Sequence, residues 1–336
     1  MSFSVKLLVS LFACFSLTAI ILPILIWFLR KEKIKQVILH YVDMHSYKSG
    51  TPTMGGIAFV LSICICGLIF CNGESTLSLM TIIVTFSYGL IGFLDDFIKF
   101  KFKRNLGLKP YQKIISQLAI AVAVAVFVYK SEGLVGSVLY VPYVNTYVDF
   151  GVFIIPFVIL IFIACTNSVN LTDGLDGLAG TTTLSFLFTF ALLMIVMLFS
   201  RLGGINEFSM NEYQNIVTLC FIGMGALLAF LLFNGYPAKI FMGDTGSLAL
   251  GGMVASVAIF TRNSLFIPII GFMFVLSSVS VIIQVLHYKR THKRVFLMAP
   301  LHHHFEKKGV HEVKIVVWYS IITLLLGLIC VLFELI

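Results

Sequence analysis

The sequence predicts an all-α integral membrane protein of about ten transmembrane helices, and three observations carry that prediction. Hydrophobic residues make up 59% of the 336 residues and charged ones only 11%, with a mean hydropathy of +1.04. The apolar residues gather into runs of about 18 or more, enough for a helix to cross the hydrocarbon core. The basic residues are sorted: all of the 23 Lys and Arg except Lys6, Lys130, Arg201 and Arg262 fall in alternate connections. The whole of 1–336 therefore reads as a single polytopic membrane domain.

The spans fall at about 5–29, 54–71, 77–97, 112–129, 150–168, 177–200, 214–233, 246–261, 266–286 and 314–335. The first apolar run, Leu7 to Leu29, is too long for a signal-peptide core and no small-residue cleavage site follows it, so a retained span is expected. The basic connections follow spans 1, 3, 5, 7 and 9, which places them in the cytoplasm and both termini outside. Between spans 4 and 5, GSVLYVPYVNTYVDFG alternates apolar and polar residues around Pro142 and Asn145, predicting a short external β-hairpin. Span 9 carries Pro268, Gly271, Ser277, Ser278 and Ser280, which suits a bent or broken helix. The seven cysteines form no CxxC pair and read as small buried hydrophobes. The net charge of +8 follows mainly from this topology; it also suits an anionic substrate or lipid at the inner face, and no nucleic-acid partner is expected.

Five aspartates stand out against this background. Asp95, Asp96, Asp173, Asp176 and Asp244 all end or begin apolar runs on the basic side. Ionised carboxylates beside hydrocarbon are costly, so they point to a functional site with a partner. The acids of the opposite side, Glu74, Glu132, Asp149, Glu207, Glu212 and Glu334, are expected to be solvated. With no ionisable residue at mid-span, the site is interfacial, open to cytosolic reagents at one end and to lipid at the side.

Each acidic string has a chemical and a structural reading. Asp95 and Asp96 project about 100° apart on a helix, so one is expected to face the chamber while the other orients Lys99 or a phosphate. Boundary solvation is the plainer alternative. Asn170, Asp173 and Asp176 share a face if that stretch is helical, and Gly174 and Gly177 allow a close backbone approach, although Asp-Gly pairs also make ordinary turns. Asp244, in FMGDTGS with Phe241 and Gly243, is either a plain helix N-cap or a carboxylate ligand for Mg²⁺ beside amides that receive phosphate. Asn234 and Lys239 precede it. His302, His303 and His304 fan out around a helix and do not suit one zinc ion; hydrogen bonds to phosphate or to a bulky polar substrate suit them better, against solvated loop histidines. Lys48 to Gly56 place a lysine and hydroxyls before a helix start, fitting an anion or an ordinary turn.

Taken jointly, GTPTMGG, LDDFIK, NLTDGLDG, NGYPAKIFMGDTGSLALGG and MAPLHHHFE resemble the phospho-N-acetylmuramoyl-pentapeptide transferase (MraY) family, in order and over the whole chain. The triple histidine is what favours this branch over relatives that transfer N-acetylhexosamine phosphate. The resemblance implies ten spans, a homodimer in the bacterial inner membrane, a cytoplasmic site with Mg²⁺, and two substrates, UDP-MurNAc-pentapeptide and undecaprenyl phosphate. The products implied are undecaprenyl-pyrophosphoryl-MurNAc-pentapeptide and UMP. By resemblance, Asp95, Asp96, Asp244, His302 and His303 are catalytic, with Asp244, Asp95 and Asp96 as metal ligands. Lys48, Thr53, Lys99, Lys113, Asn170, Asp173, Gly174, Leu175, Asp176, Asn234, Phe241, Gly243, Gln284, Ala299 and His304 fall to the substrates, Phe241 as the aromatic stacked on uracil. On this view Asp96→Asn acts mainly on turnover. The competing readings are a polyprenyl-phosphate GlcNAc-1-phosphate transferase and, more remotely, a secondary transporter of anionic solutes, which the uncharged mid-spans and absence of repeats disfavour.

Overall fold

A computed structural model describes residues 1–32, 50–71, 75–102, 107–142, 144, 146–200 and 207–336. Lys48, Glu74, Asn145 and Arg201 lie outside the described residues. The helices run α1 Phe3–Lys31, α2 Gly56–Phe70, α3 Thr76–Lys101, α4 Pro110–Lys130, α5 Ile154–Thr172, α6 Leu178–Ser200, α7 Glu207–Asn234, α8 Gly243–Phe260, α9 Ile267–Ile270, α10 Phe272–Thr291, α11 Leu301–Lys307 and α12 Glu312–Leu335. Among the described residues, 9 helices are long and apolar enough to cross a membrane, and α2, at 15 residues, is a shorter apolar helix. The chain is a multi-pass membrane protein. The expected hairpin forms from β1 (Val138–Val141) and β2 (Thr146–Asp149), antiparallel with Tyr140 opposite Tyr147. The anticipated break in span 9 falls at Gly271, between α9 and α10, and α10 continues to Thr291, beyond the expected end.

Helix α8 is the centre of the bundle. Its sequence is rich in Gly, Ala and Ser, and every residue from Thr245 to Phe260 is buried. Small residues let neighbouring backbones come close, which is how spans associate where lipid offers no hydrophobic drive. A Cβ on Gly252 would lie 2.7 Å from the Tyr88 ring of α3, and one on Gly251 would lie 2.5 Å from the Thr166 backbone of α5. On α2, a Cβ at Gly56 would strike the Gly246 backbone. Lipid-facing apolar side chains lie on outer helices instead, such as Phe12, Ile20 and Trp27 on α1.

Helix polarity then sorts the ends. α8 starts at Gly243, α3 ends at Lys101 and α5 ends at Thr172, so these three termini gather at one end of the bundle. The hairpin lies at the other, where Tyr140 N donates to Arg262 O just past the end of α8. There one expectation fails. Glu212, expected to be solvated, is only 1% exposed. It accepts from Ser75 Oγ at 2.7 Å, Thr76 N at 2.9 Å and Leu77 N at 3.0 Å, capping the start of α3. The first turn of a helix leaves amide donors unpaired, and a carboxylate from α7 meets them here. Glu334 likewise accepts from Tyr140 Oη, at 2.7 Å.

Candidate functional site

The site starts from the contact of the last turns of α3 with the first turn of α8. Gly92 makes it possible, because a Cβ there would run into the Asp244 and Thr245 backbone. Three and four residues on, Asp95 and Asp96 are both buried. Asp96 accepts from Thr245 Oγ1 at 2.7 Å, Thr245 N at 3.0 Å and Asp244 N at 3.2 Å. It thus caps α8 from a different helix, while the residue in the N-cap position, Met242, supplies no side-chain bond. Asp244 is the second residue of α8, not its N-cap, and this frees its side chain for other partners.

Those partners are cationic or carboxamide groups. Lys99 Nζ stands 2.6 Å from Asp95 Oδ2, 2.6 Å from Asp244 Oδ2 and 3.8 Å from Asp96 Oδ1. Lys113 Nζ, from α4, is 3.1 Å from Asp244 Oδ2. Asn170 Nδ2, from α5, donates to Asp244 Oδ1 at 2.5 Å and to Ser247 Oγ at 2.8 Å. Asp95 Oδ1 also accepts from Leu108 N at 2.8 Å, with Gly107 pressed so near that a Cβ would lie 2.5 Å from the same oxygen. The expected division of labour between the adjacent aspartates therefore appears in a different form. Asp95 takes the lysine and Asp96 takes the helix.

One carboxylate oxygen each from Asp95, Asp96 and Asp244 lie within 4.8 Å of one another. Hard oxygen donors at that spacing suit Mg²⁺, which uses one or two carboxylates and completes its shell with water and substrate phosphate. The Lys99 ammonium already bridges Asp95 and Asp244, so a cation between those two carboxylates matches the charge of the site. Asp95 and Asp244 fit as ligands. Asp96 completes the three-carboxylate group and, with three donors on its carboxylate, also holds Asp244 in place.

Around this cluster lie Thr53 and the turn after α5. Gly243, at φ +72°, has Asp96 Oδ2 and Thr53 Oγ1 where a Cβ would sit, 2.5 and 3.0 Å away. The chain at 52–56 is paired to the start of α8 through Phe241 N to Pro52 O (2.9 Å) and Gly55 N to Phe241 O (2.8 Å), leaving Phe241 half-buried. Asp173 follows α5 as its C-cap, its amide donating to Asn170 O at 3.2 Å, and its carboxylate makes no hydrogen bond among the described residues. Burial pushes its carboxyl up to about 8, and the charges of Asp244, Asp96 and Asp176 push the same way. Against Gly174 lie His302 and His303; a Cβ there would be 2.9 Å from His303 Nε2. His302 is 0% exposed, and neither ring nitrogen has a hydrogen-bond partner among the described residues. Burial, with His303 beside it and Glu306 opposing, holds its imidazole well below the usual histidine range, so it is neutral at neutral pH.

Other expected residues serve the walls. The helix ends at Thr172, so Asn170, Asp173 and Asp176 do not share a face as expected. Asp176 accepts from Ala238 N at 2.9 Å, and its own amide donates to Glu312 Oε1 at 2.6 Å. Asn234 accepts from Gly177 N at 3.1 Å and donates to Ile240 O at 2.9 Å, tying α7 to that turn and to the strand-like lead into α8. Leu175 packs with Leu178, Met273, Ile315 and Tyr319. Gln284 accepts from Val295 N and Phe296 N at 3.0 and 2.9 Å, and His304 Nδ1 accepts from Leu297 N at 3.1 Å. Together they shape the loop that leads through Ala299 to α11. Of the three histidines, His302 and His303 both lie against Gly174, while His304 turns to the Leu297 amide. Sequence reasoning missed Ser247, Leu108, Glu306 and Glu312; the Asp244–Ser247 and His303–Glu306 spacings of three on helices were the available signals.

Comparison with known proteins agrees with this geometry. Residues 78–262 match the model for glycosyl transferase family 4, and residues 48–60 match a phospho-N-acetylmuramoyl-pentapeptide-transferase signature. A relative of that name from Clostridium botulinum (strain Alaska E43 / Type E3) is 43% identical over 94% of this chain and 92% of its own. One from Geobacillus sp. (strain WCH70) is 44% identical over 95% of each chain. One from Halalkalibacterium halodurans is 42% identical over 98% of this chain and 97% of its own. With such identity over nearly full length, and with the signature motif set beside the acid cluster, the chain belongs to the phospho-N-acetylmuramoyl-pentapeptide transferase family.

Proposed function

We propose that the chain transfers phospho-MurNAc-pentapeptide from UDP-MurNAc-pentapeptide to undecaprenyl phosphate, releasing UMP. The lipid product is undecaprenyl-pyrophosphoryl-MurNAc-pentapeptide, made in the first membrane step of peptidoglycan synthesis. The reading places the site at the cytoplasmic face of the bacterial inner membrane, in a homodimer, with Mg²⁺ as cofactor. The observation that carries it is the meeting of Asp95, Asp96 and Asp244 with Lys99, Lys113 and Asn170 at one end of a membrane bundle. The excess of basic residues in the connections at that end supports its cytoplasmic placement.

In this reading the phosphate oxygen of the lipid attacks the β-phosphorus of the UDP substrate, the bond to the α-phosphate oxygen breaks, and UMP leaves. A phosphate monoester has a second pKa of about 6, so the attacking oxygen is mostly ionised at neutral pH and needs little help from a base. Phosphoryl transfer rests chiefly on positioning and on neutralising charge. Asp244 and Asp95 would hold Mg²⁺, which would supply positive charge at the diphosphate. Lys99 and Lys113, already at Asp244, add two ammonium groups that can swing to substrate oxygens. Asp96 keeps the α8 amides and Asp244 in register. Neutral His302, whose ring nitrogens have no partner among the described residues, and His303 beside Gly174 offer hydrogen bonds to the substrate.

The test is purified protein with both substrates, following UMP release with and without Mg²⁺. Release should require the lipid acceptor and stop on chelation. Release that ignores the acceptor, survives chelation, or runs equally well on UDP-GlcNAc overturns this assignment.

A further inference from the structure

Glu306 has no place in the family resemblance beyond closing the MAPLHHHFE string, yet it meets the histidine motif directly. It is 8% exposed. Its Oε2 lies 2.9 Å from His303 Nδ1, one turn back along α11. α11 is itself pinned, with Leu301 N donating to Ser280 Oγ of α10 at 3.0 Å, so the two side chains meet on a fixed support. An ionised carboxylate only accepts hydrogen bonds, so the imidazole must present Nδ1–H to it. That choice fixes the other nitrogen. His303 Nε2 points at Gly174, where even a methyl group would stand only 2.9 Å away, and Gly174 adjoins Asp173 of the acid chamber.

We infer that Glu306 is a positioning residue, holding the His303 ring so that Nε2 faces the substrate chamber beside Gly174. This deepens the proposed function and rests on it. The arrangement has the logic of histidines whose second nitrogen is held by an outer carboxylate: ring orientation and tautomer are set by a group that never meets the substrate. His302, tilted at 57° to His303 with ring centroids 4.4 Å apart, has no ring hydrogen bond to an acid among the described residues and stays neutral. Two adjacent histidines are thereby given different roles by a single carboxylate.

The experiment is a double-mutant cycle on the full-length enzyme, reading kcat, KM for the UDP substrate and thermal midpoint for Glu306→Gln, Glu306→Asp, His303→Ala and the pair Glu306→Gln with His303→Ala. Glu306→Gln should lower kcat/KM by about 10–100-fold, the usual scale for an outer-shell partner, and Glu306→Asp should recover part of it. In the His303→Ala background, Glu306→Gln should change kcat/KM by no more than about twofold, the signature of coupled residues. If the two losses multiply, or if Glu306→Gln alone matches wild type while His303→Ala is impaired, the inference is wrong and the proposed function stands. If His303→Ala itself turns over normally, His303 is not a substrate contact and both readings of it fall together. A drop in thermal midpoint equal in both backgrounds, with kcat/KM following it, would make Glu306 merely structural.

Discussion

The two ends of α3 carry buried carboxylates of opposite kinds. At its start, Glu212 meets three donors within 3.0 Å, all of them backbone or hydroxyl groups fixed by the fold. At its end, Asp95 and Asp244 are held mainly by Lys99 and Lys113, whose ammonium groups ride on long flexible stems. Burial alone does not separate them, since Glu212 and Asp95 are 1% and 3% exposed. What separates them is whether the partners can leave. A carboxylate paid off by its own backbone is architecture, while one balanced by mobile cations can exchange them for a metal or for substrate. Asp96 sits with the second group in space and with the first in its bonding.

The largest effect should come from Asp244→Asn. It removes the charge facing both lysines while leaving the cap on α8 in place, so UMP release should fall on the order of 10³-fold, the scale for losing one electrostatic element of an active site. The thermal midpoint should stay near wild type; a variant that retains most of its turnover would place the chemistry elsewhere. Gly92→Ala comes next. Its Cβ would press on the Asp244 backbone, moving the carboxylate by a fraction of an ångström, and misplacement on that scale costs up to about 10²-fold. Normal turnover in Gly92→Ala would show that the α3–α8 contact does not set the site.

Glu212→Gln and Asp96→Asn then break the comparison directly. Each weakens a charge-assisted cap worth about 1.5–3 kcal/mol per bond to a charged group, so both should lower the thermal midpoint by several degrees. Only Asp96→Asn should also lower kcat, because only the helix that Asp96 caps, α8, carries Asp244. That revises the expectation that Asp96→Asn acts mainly on turnover. Equal kinetic losses in the two variants would mean that capping strength, not position, governs activity.

Much of this was legible in the sequence, and what was not has a physical cause. Long apolar runs mark the spans, nine of the expected ten being long enough to cross a membrane among the described residues with α2 shorter, and the hairpin and the break at Gly271 follow from alternation and from Pro and Gly placement. The aspartates were found because a charge at a membrane boundary is costly wherever it sits. Which partner each meets depends on contacts between residues far apart in sequence. Asp96 is 149 residues from the Thr245 it caps, and Glu212 is 137 from Ser75. Local spacing carries no such information, so Glu212 read as a solvated acid and Asp244 as a possible N-cap. Asn234, Asp176 and Gln284 read as ligand groups for the same reason, although each is engaged with backbone.

The smallest predicted effect sharpens the comparison most, because it concerns an acid with neither kind of partner. The Asp173 carboxylate makes no hydrogen bond among the described residues, and it is pushed up to about 8 from an ordinary value of 3.8. In the folded protein without metal it therefore keeps its proton across the range from about 4 to 8, where the unfolded chain has lost it. The unfolded state then binds fewer protons, so this residue lowers stability progressively as pH rises through that window. Asp173→Asn cannot ionise and should flatten the slope: relative to wild type its metal-free thermal midpoint should gain at pH 8 and gain little at pH 5. Its turnover should fall even as it gains stability, the trade expected of a strained functional charge. Parallel pH profiles for the two proteins would show that the Asp173 carboxyl ionises freely in the fold, and would move it from the chamber's acids to its surface.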